Sequence, residues 1–177
     1  MFQKFVWQNT MRNLKGKNGL ITGASSGIGQ AIAIRLAREG CNIAISYRKN
    51  AEEAKRTEEI VLQYARESGK ASNVQTLIVQ GDAAKEEDIK FGSLDILINS
   101  ARIQLESPSH EITTDKFDQV IAVNLRGAYL YARETIKHNV GTKAFRCNYQ
   151  YFQRSRNHSS PDVSQLLYQQ RRNGQFD

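Results

Sequence analysis

The run "LITGASSGIGQAIAIRLAREG", Leu20 to Gly40, changes its hydrophobic period at its glycines. Before them, Gly19 to Thr22 is a short apolar segment of strand character. After them, Gly27 to Arg38 carries Ile28, Ala31, Ile32, Ile34 and Leu36 at helical spacing. The stretch predicts a strand, a tight loop and a helix in direct succession. Within Thr22-Gly23-Ala24-Ser25-Ser26-Gly27-Ile28-Gly29 the glycines have separate tasks. Gly23 permits the turn, Gly27 lets the backbone come close to a ligand, and Gly29 lets the helix pack on the strand. The first helical turn adds free N–H groups and the positive end of the helix dipole, both suited to phosphate. A glycine triplet alone also serves as a plain structural turn. Strand, loop and helix in this order are what a dinucleotide site requires, which makes Gly23, Ser25, Ser26, Gly27, Ile28 and Gly29 candidate cofactor-binding residues.

Outward from the loop, the pattern alternates. Asn42 to Tyr47 reads as a second strand, Ala51 to Ser68 as a charged amphipathic helix closed by Gly69, Val74 to Val79 as a third strand and Leu94 to Asn99 as a fourth. Asp115 to His138 reads as one long helix with Phe117, Val120, Ile121, Leu125, Tyr129 and Leu130 on a broad apolar face. Strands separated by helices predict an α/β fold, a Rossmann-like doubly wound parallel sheet with ligands at the carboxyl ends of its strands. Two places break the rhythm. The 11 residues between Asp82 and Leu94 barely suffice for a helical crossover. After Asn139 no apolar strand appears, so only the N-terminal half of the fold is expected, with an irregular tail. The resulting division is residues 1–13 as an extension, 14–139 as an incomplete nucleotide-binding domain and 140–177 as the tail. Four strands would leave the apolar, Pro-free fourth strand unpaired on its outer edge, a template for association and for poor solubility.

Bulk properties exclude several function classes. The 177 residues, 40% hydrophobic, suit one globular domain. Cys41 and Cys147 form neither a disulfide framework nor a metal cluster, and His110, His138 and His158 are scattered. A reducing, cytoplasmic setting is the expectation. No apolar run approaches the ~18 residues that span a membrane. "MFQKFVWQNT" lacks the apolar centre of a secretory signal, and Met11 is an equally good start. The net charge of +7 is lopsided: from His138 onward six Lys/Arg stand against two acids, a balance of +4. With Tyr149, Tyr151 and Phe152 interleaved, this segment could bind single-stranded RNA. The absence of any accompanying RNA-binding motif favours a solvated tail and no nucleic-acid partner.

Further motifs come in a fixed order: Gly81-Asp82 after the third strand, "LDILINSA" (Leu94 to Ala101) in the fourth, and "VNLRGAYL" (Val123 to Leu130) in the next helix. Together with "TGASSGIG", this order closely resembles the short-chain dehydrogenase/reductase family over roughly Leu14 to Asn139, and most of all its glucose 1-dehydrogenase-like members. The resemblance implies hydride transfer between a nicotinamide cofactor and a sugar or alcohol. It also implies Asp82 beside the adenine, Asn99, Ser100 and Ala101 at the strand that meets the cofactor ribose, and Asn124 holding a proton-relay water. Asp82 also reads as a helix N-cap, and Asn124 as a polar group at a helix bend. Cofactor choice turns on Arg48, a cation where an acid would hold the ribose 2′-hydroxyl. It resembles members that use NADP, and NADP is favoured over NAD, although a solvated loop arginine reads equally well. One position departs from the pattern. Arg102 stands where the family has glycine, a bulky cation at a place of close backbone approach.

The family's chemistry needs a serine and a Tyr-x-x-x-Lys pair, the tyrosine passing the proton and the lysine lowering its pKa. No lysine in the sequence has a tyrosine four residues before it, and Tyr168 with Arg172 offers a permanent guanidinium instead. Read one nucleotide later, however, the codons allow serine at Gln153, tyrosine at Leu166 and lysine at Gln170, with the serine thirteen residues before the tyrosine as the family has it. A frameshift near Gly141 is the expectation, with a catalytically inactive product. Its alternatives are a nucleotide- or RNA-binding module and a non-catalytic partner of intact relatives. The family's main oligomer helices lie beyond the break, so oligomerisation is expected to be impaired.

Overall fold

The computed structural model describes residues 14–69, 73–84, 94–105, 108, 110–142 and 148–151. The extension 1–13, the short crossover at 85–93 and the tail beyond 151 lie outside the described residues. Strands β1 (Asn18–Thr22), β2 (Asn42–Tyr47), β3 (Thr76–Gln80), β4 (Ile96–Asn99) and β5 (Asn148–Tyr151) form one sheet in the order β3-β2-β1-β4-β5. All four pairings are parallel. The chain builds outward from β1 to β3, then returns to lay β4 on the other side of β1. The reversal opens a crevice at the carboxyl ends of β1 and β4, where open α/β sheets bind ligands.

Helix α1 (Gly27–Arg38) and helix α2 (Ala51–Glu67) cover one face. Asn50 begins α2 by accepting the Glu53 N–H at 3.1 Å, Glu52 and Glu53 complement its dipole, and Gly69 ends the segment in left-handed conformation (φ 66°). Alternation along the strands sorts the core into two clusters. Ile21, Ile43, Ile45, Ile96 and Ile98 pack with Ala33 and Ala37 of α1 and with Ala54, Val61 and Ala65 of α2. Leu20 and Leu97 point the other way, against Leu130 and Tyr131. Lys17 also pairs with Asp95 at 2.8 Å across the starts of β1 and β4, but both are partly exposed. Such a pair contributes under ~1 kcal/mol, against ~1.5–3 kcal/mol for each fully buried isoleucine or leucine, so burial holds the strands together.

Two expectations are corrected. The helix read as continuous over Asp115 to His138 consists of α3 (Thr114–Ile121), a π-helical turn (Ala122–Gly127) and α4 (Ala128–Thr142). Its apolar face divides accordingly. Val123, Leu130 and Tyr131 are buried, while Phe117, Ile121, Leu125 and Tyr129 are exposed. Helical periodicity locates apolar residues on a helix but cannot detect the extra residue that a π turn inserts, which changes the facing of the residues after it. The second correction concerns β4. Its outer edge is not open, because Asn148–Tyr151 pairs with it from Ile96↔Asn148 to Asn99↔Tyr151. A parallel ladder is made by backbone N–H and C=O groups, so a polar segment with no apolar run can complete it.

Candidate functional site

The carboxyl ends of the strands enclose a cleft of about 490 Å³. Its floor is the crossing of two loops. Gly23 follows β1 with φ 64°, and a Cβ there would stand 2.8 Å from the Ala101 Cα. Thr22 locks the crossing: its Oγ1 accepts the N–H groups of Ser100 and Ala101, both at 3.0 Å. Thr22 was legible as part of the glycine motif, although its bond to the fourth-strand loop was not.

Gly27 also adopts positive φ (59°), and a Cβ there would meet nothing within 4 Å. The space it leaves is cleft. Gly29 is buried, and its Cβ would come 2.5 Å from the Gly23 carbonyl oxygen, so its smallness serves the fit of α1 against the loop itself rather than against the strand. Ser26 occupies the N-cap of α1 in extended conformation without a side-chain cap bond, and no acid lies in the first turn. The helix therefore presents its N-terminal N–H groups and positive dipole at a wall formed by Ser25, Ser26, Gly27, Ile28 and Gly29. Ile28, 40% exposed, adds an apolar patch there.

The end of β2 supplies charge. Ser46, Tyr47, Arg48, Lys49 and Asn50 line the cleft, with two exposed cations and no carboxylate among them. The Gly81 N–H donates to the Tyr47 carbonyl at 3.0 Å, and the Gln80 amide to the Arg48 carbonyl at 3.2 Å, so β3 steadies the backbone that carries the arginine. Lys49 and Asn50 were missed as lining residues, and their adjacency to Arg48 is the signal that was available.

The remaining candidates separate. Asp82 lines the cleft and accepts the Ala84 N–H at 3.0 Å, so it both shapes the turn after β3 and faces the ligand space. Ser100, Ala101 and Arg102 line the opposite wall with Ile103 and Val123. Asn99 does not join them. Its Nδ2 donates to the Ala128 carbonyl at 3.4 Å, towards α4, and its buried Oδ1 has no partner among the described residues. Asn124 also lies behind the wall. Its Oδ1 accepts the Ile103 N–H and its Nδ2 donates to the Ile103 carbonyl, both at 2.9 Å. The side chain clamps the loop after β4 to the π turn. Gly127 completes the junction, since a Cβ there would lie 2.6 Å from the Ala83 carbonyl oxygen. Gly127 stood within the "VNLRGAYL" motif, but its close approach to Ala83 was not legible there.

These residues fit a dinucleotide. An open helix N-terminus and a side-chain-free Gly27 suit a pyrophosphate, Arg48 and Lys49 suit a further anion, and the cleft spans from one to the other. No group of three or more His, Cys, Asp or Glu among the described residues could hold a metal ion. Cys41, the buried cysteine, is unsuited to nucleophilic chemistry: burial pushes its thiol up to about 12, and it donates to the Lys17 carbonyl at 3.0 Å beneath the sheet.

The fold is thus that of a doubly wound α/β protein with a glycine-loop cleft at the carboxyl ends of its strands. The family model for short chain dehydrogenase matches residues 17–144, and the chain belongs to that family, whose members are NAD(P)-dependent oxidoreductases. It is 37% identical over 132 residues to glucose 1-dehydrogenase of Gluconobacter oxydans, covering 70% of this chain and 47% of that protein. It is 34% identical over 137 residues to glucose 1-dehydrogenase 2 of Bacillus subtilis, covering 72% and 50%. Among solved structures, a short chain dehydrogenase from Burkholderia cenocepacia in complex with NADP is similar at 33% identity and a TM-score of 0.61, over 71% of this chain and 51% of that one. The chain spans about half the length of the curated relatives it matches.

Proposed function

We propose that this chain is the cofactor-binding half of an NAD(P)-dependent dehydrogenase of sugars or alcohols, that it takes NADP in preference to NAD, and that as this sequence it binds without turning over. The observation that carries the reading is the convergence, on one cleft, of the glycine loop, the open N-terminus of α1 and the Arg48–Lys49 pair. The nicotinamide cofactor supplies hydride acceptance when bound. The chain's own residues do the rest of the binding. Gly27 and the first turn of α1 receive the pyrophosphate, Arg48 receives a 2′-phosphate, Asp82 borders the adenine, and Ser100 and Ala101 border the ribose. Asn99 supports that strand from behind, and Asn124 keeps the π turn in place where a relay water would be held.

The proton-transfer half has no counterpart in the 177 residues, since no Tyr-x-x-x-Lys occurs in them. A shift of reading frame near Gly141 accounts for this, with 14–139 as the incomplete domain and 140–177 as out-of-frame tail. Two experiments test the reading. NAD(P)H absorbance with glucose and a panel of small alcohols should show no turnover, and turnover that Gly29→Trp abolishes would overturn the claim of inactivity. DNA sequence across codons 137–177 should show a neighbouring frame that encodes the serine and the Tyr-x-x-x-Lys pair. Restoring that frame is expected to yield weak activity that rises with Arg102→Gly, because a misplacement of about 1 Å at such a site can cost a hundredfold.

A further inference from the structure

We propose that Thr57, on α2, is a positioning residue that sets the orientation of the dinucleotide loop, an inference that rests on reading this loop as the pyrophosphate cradle. Thr57 is wholly buried, 32 positions away from Ser25 along the chain. Its Oγ1 donates to the Ser25 carbonyl at 3.0 Å and accepts from the Gln30 Nε2 at 2.8 Å. A hydroxyl has one proton to give. With the Gln30 amide N–H directed at its lone pair, that proton goes to Ser25. Three elements are joined by two bonds: Gln30 from α1, Thr57 from α2 and Ser25 from the loop.

Peptide geometry carries this bond through to the ligand side. No peptide bond in the described chain is cis, and in a trans, planar peptide the carbonyl and the N–H point in opposite directions. Holding the Ser25 carbonyl towards α2 therefore turns the Ser26 N–H to the face of the loop away from α2. Both serines line the cleft, and Ser26 caps α1 without a side-chain bond of its own. The peptide plane is fixed from outside the loop, by a helix that forms no part of the glycine motif. A loop held in this way before the ligand arrives has less freedom to lose on binding. The bond is part-buried at the cleft wall, and a Ser25 carbonyl deprived of its donor will turn to find another.

Thr57→Val keeps the shape of the side chain and removes the donor; Thr57→Ser keeps the donor and removes a methyl group. Titrating NADPH by its fluorescence, we expect Thr57→Val to bind about fivefold to tenfold more weakly, the loss of one part-buried hydrogen bond, and Thr57→Ser to bind within about twofold of the parent. Gln30→Met, which frees the hydroxyl to rotate, should fall between them. Equal affinity of Thr57→Val and the parent overturns the proposal, and so does an equal loss in Thr57→Val and Thr57→Ser, which would mean that packing alone is felt. Absence of NADPH binding by the parent chain would instead overturn the dinucleotide reading on which the proposal stands.

Discussion

At the residue scale, the site depends on side chains that are absent as much as on those present. Gly27 leaves open the space assigned above to a pyrophosphate, and Gly29 leaves room for the Gly23 carbonyl. Arg48 is the most informative side chain that is present. It stands on backbone held by Gln80 and Gly81, beside Lys49 and with no carboxylate among its β2-end neighbours in the cleft wall. A charge-assisted bond to phosphate contributes ~1.5–3 kcal/mol. Arg48→Glu should therefore weaken NADP by roughly tenfold to a hundredfold while NAD changes little, because a carboxylate can take the free 2′-hydroxyl. Parallel titrations of the two cofactors check this. An unchanged ratio of affinities would assign Arg48 to solvent.

At the scale of elements, the π turn is the piece that ties the cleft together. Asn124 satisfies both polar groups of Ile103, and Gly127 brings the same turn against Ala83, so the loops after β3 and β4 are braced by one irregular segment. Asn124→Ala leaves a part-buried N–H and carbonyl without these partners, which costs about 1–3 kcal/mol. Urea unfolding should show that loss, and hydrogen exchange at the Ile103 amide should rise with it. Unchanged exchange at Ile103 would mean that the clamp does not hold the loop. The elements with one clear period were legible in the sequence: α1 and β2 lie where spacing put them, and the glycine loop is where strand gave way to helix. The junctions were not. A π turn keeps helical composition, the motif that contains Gly127 does not say what the glycine packs against, and β5 pairs through backbone groups that every non-proline residue possesses. The family resemblance implied Asn99 at the strand that meets the cofactor ribose; its side chain donates to the Ala128 carbonyl of α4, a contact that no pattern in the sequence announced.

At the scale of the whole molecule, the described sheet has its centre covered on both faces and β4 paired on its outer side. The surface left apolar is elsewhere. Phe117, Ile121, Leu125 and Tyr129 recur every fourth residue across α3, the π turn and α4, with exposures of 53%, 38%, 62% and 61%. Large apolar side chains exposed at this spacing favour association and the binding of apolar probes. The chain should bind a hydrophobic dye through this stripe, and Leu125→Glu with Tyr129→Glu should reduce dye binding severalfold while the far-ultraviolet dichroism spectrum stays unchanged. Dye binding unaffected by the double substitution would place the exposed apolar surface at another part of the molecule.

The central claim is that the glycine loop and the cations at the end of β2 form one cofactor site. Calorimetric titration of the purified chain with NADP addresses it most directly. The account predicts a saturable, one-to-one binding isotherm that is tighter than the one for NAD and is lost in Gly29→Trp, whose side chain would displace the Gly23 carbonyl and collapse the loop. Absence of binding by a folded chain, or binding that survives Gly29→Trp undiminished, would contradict it.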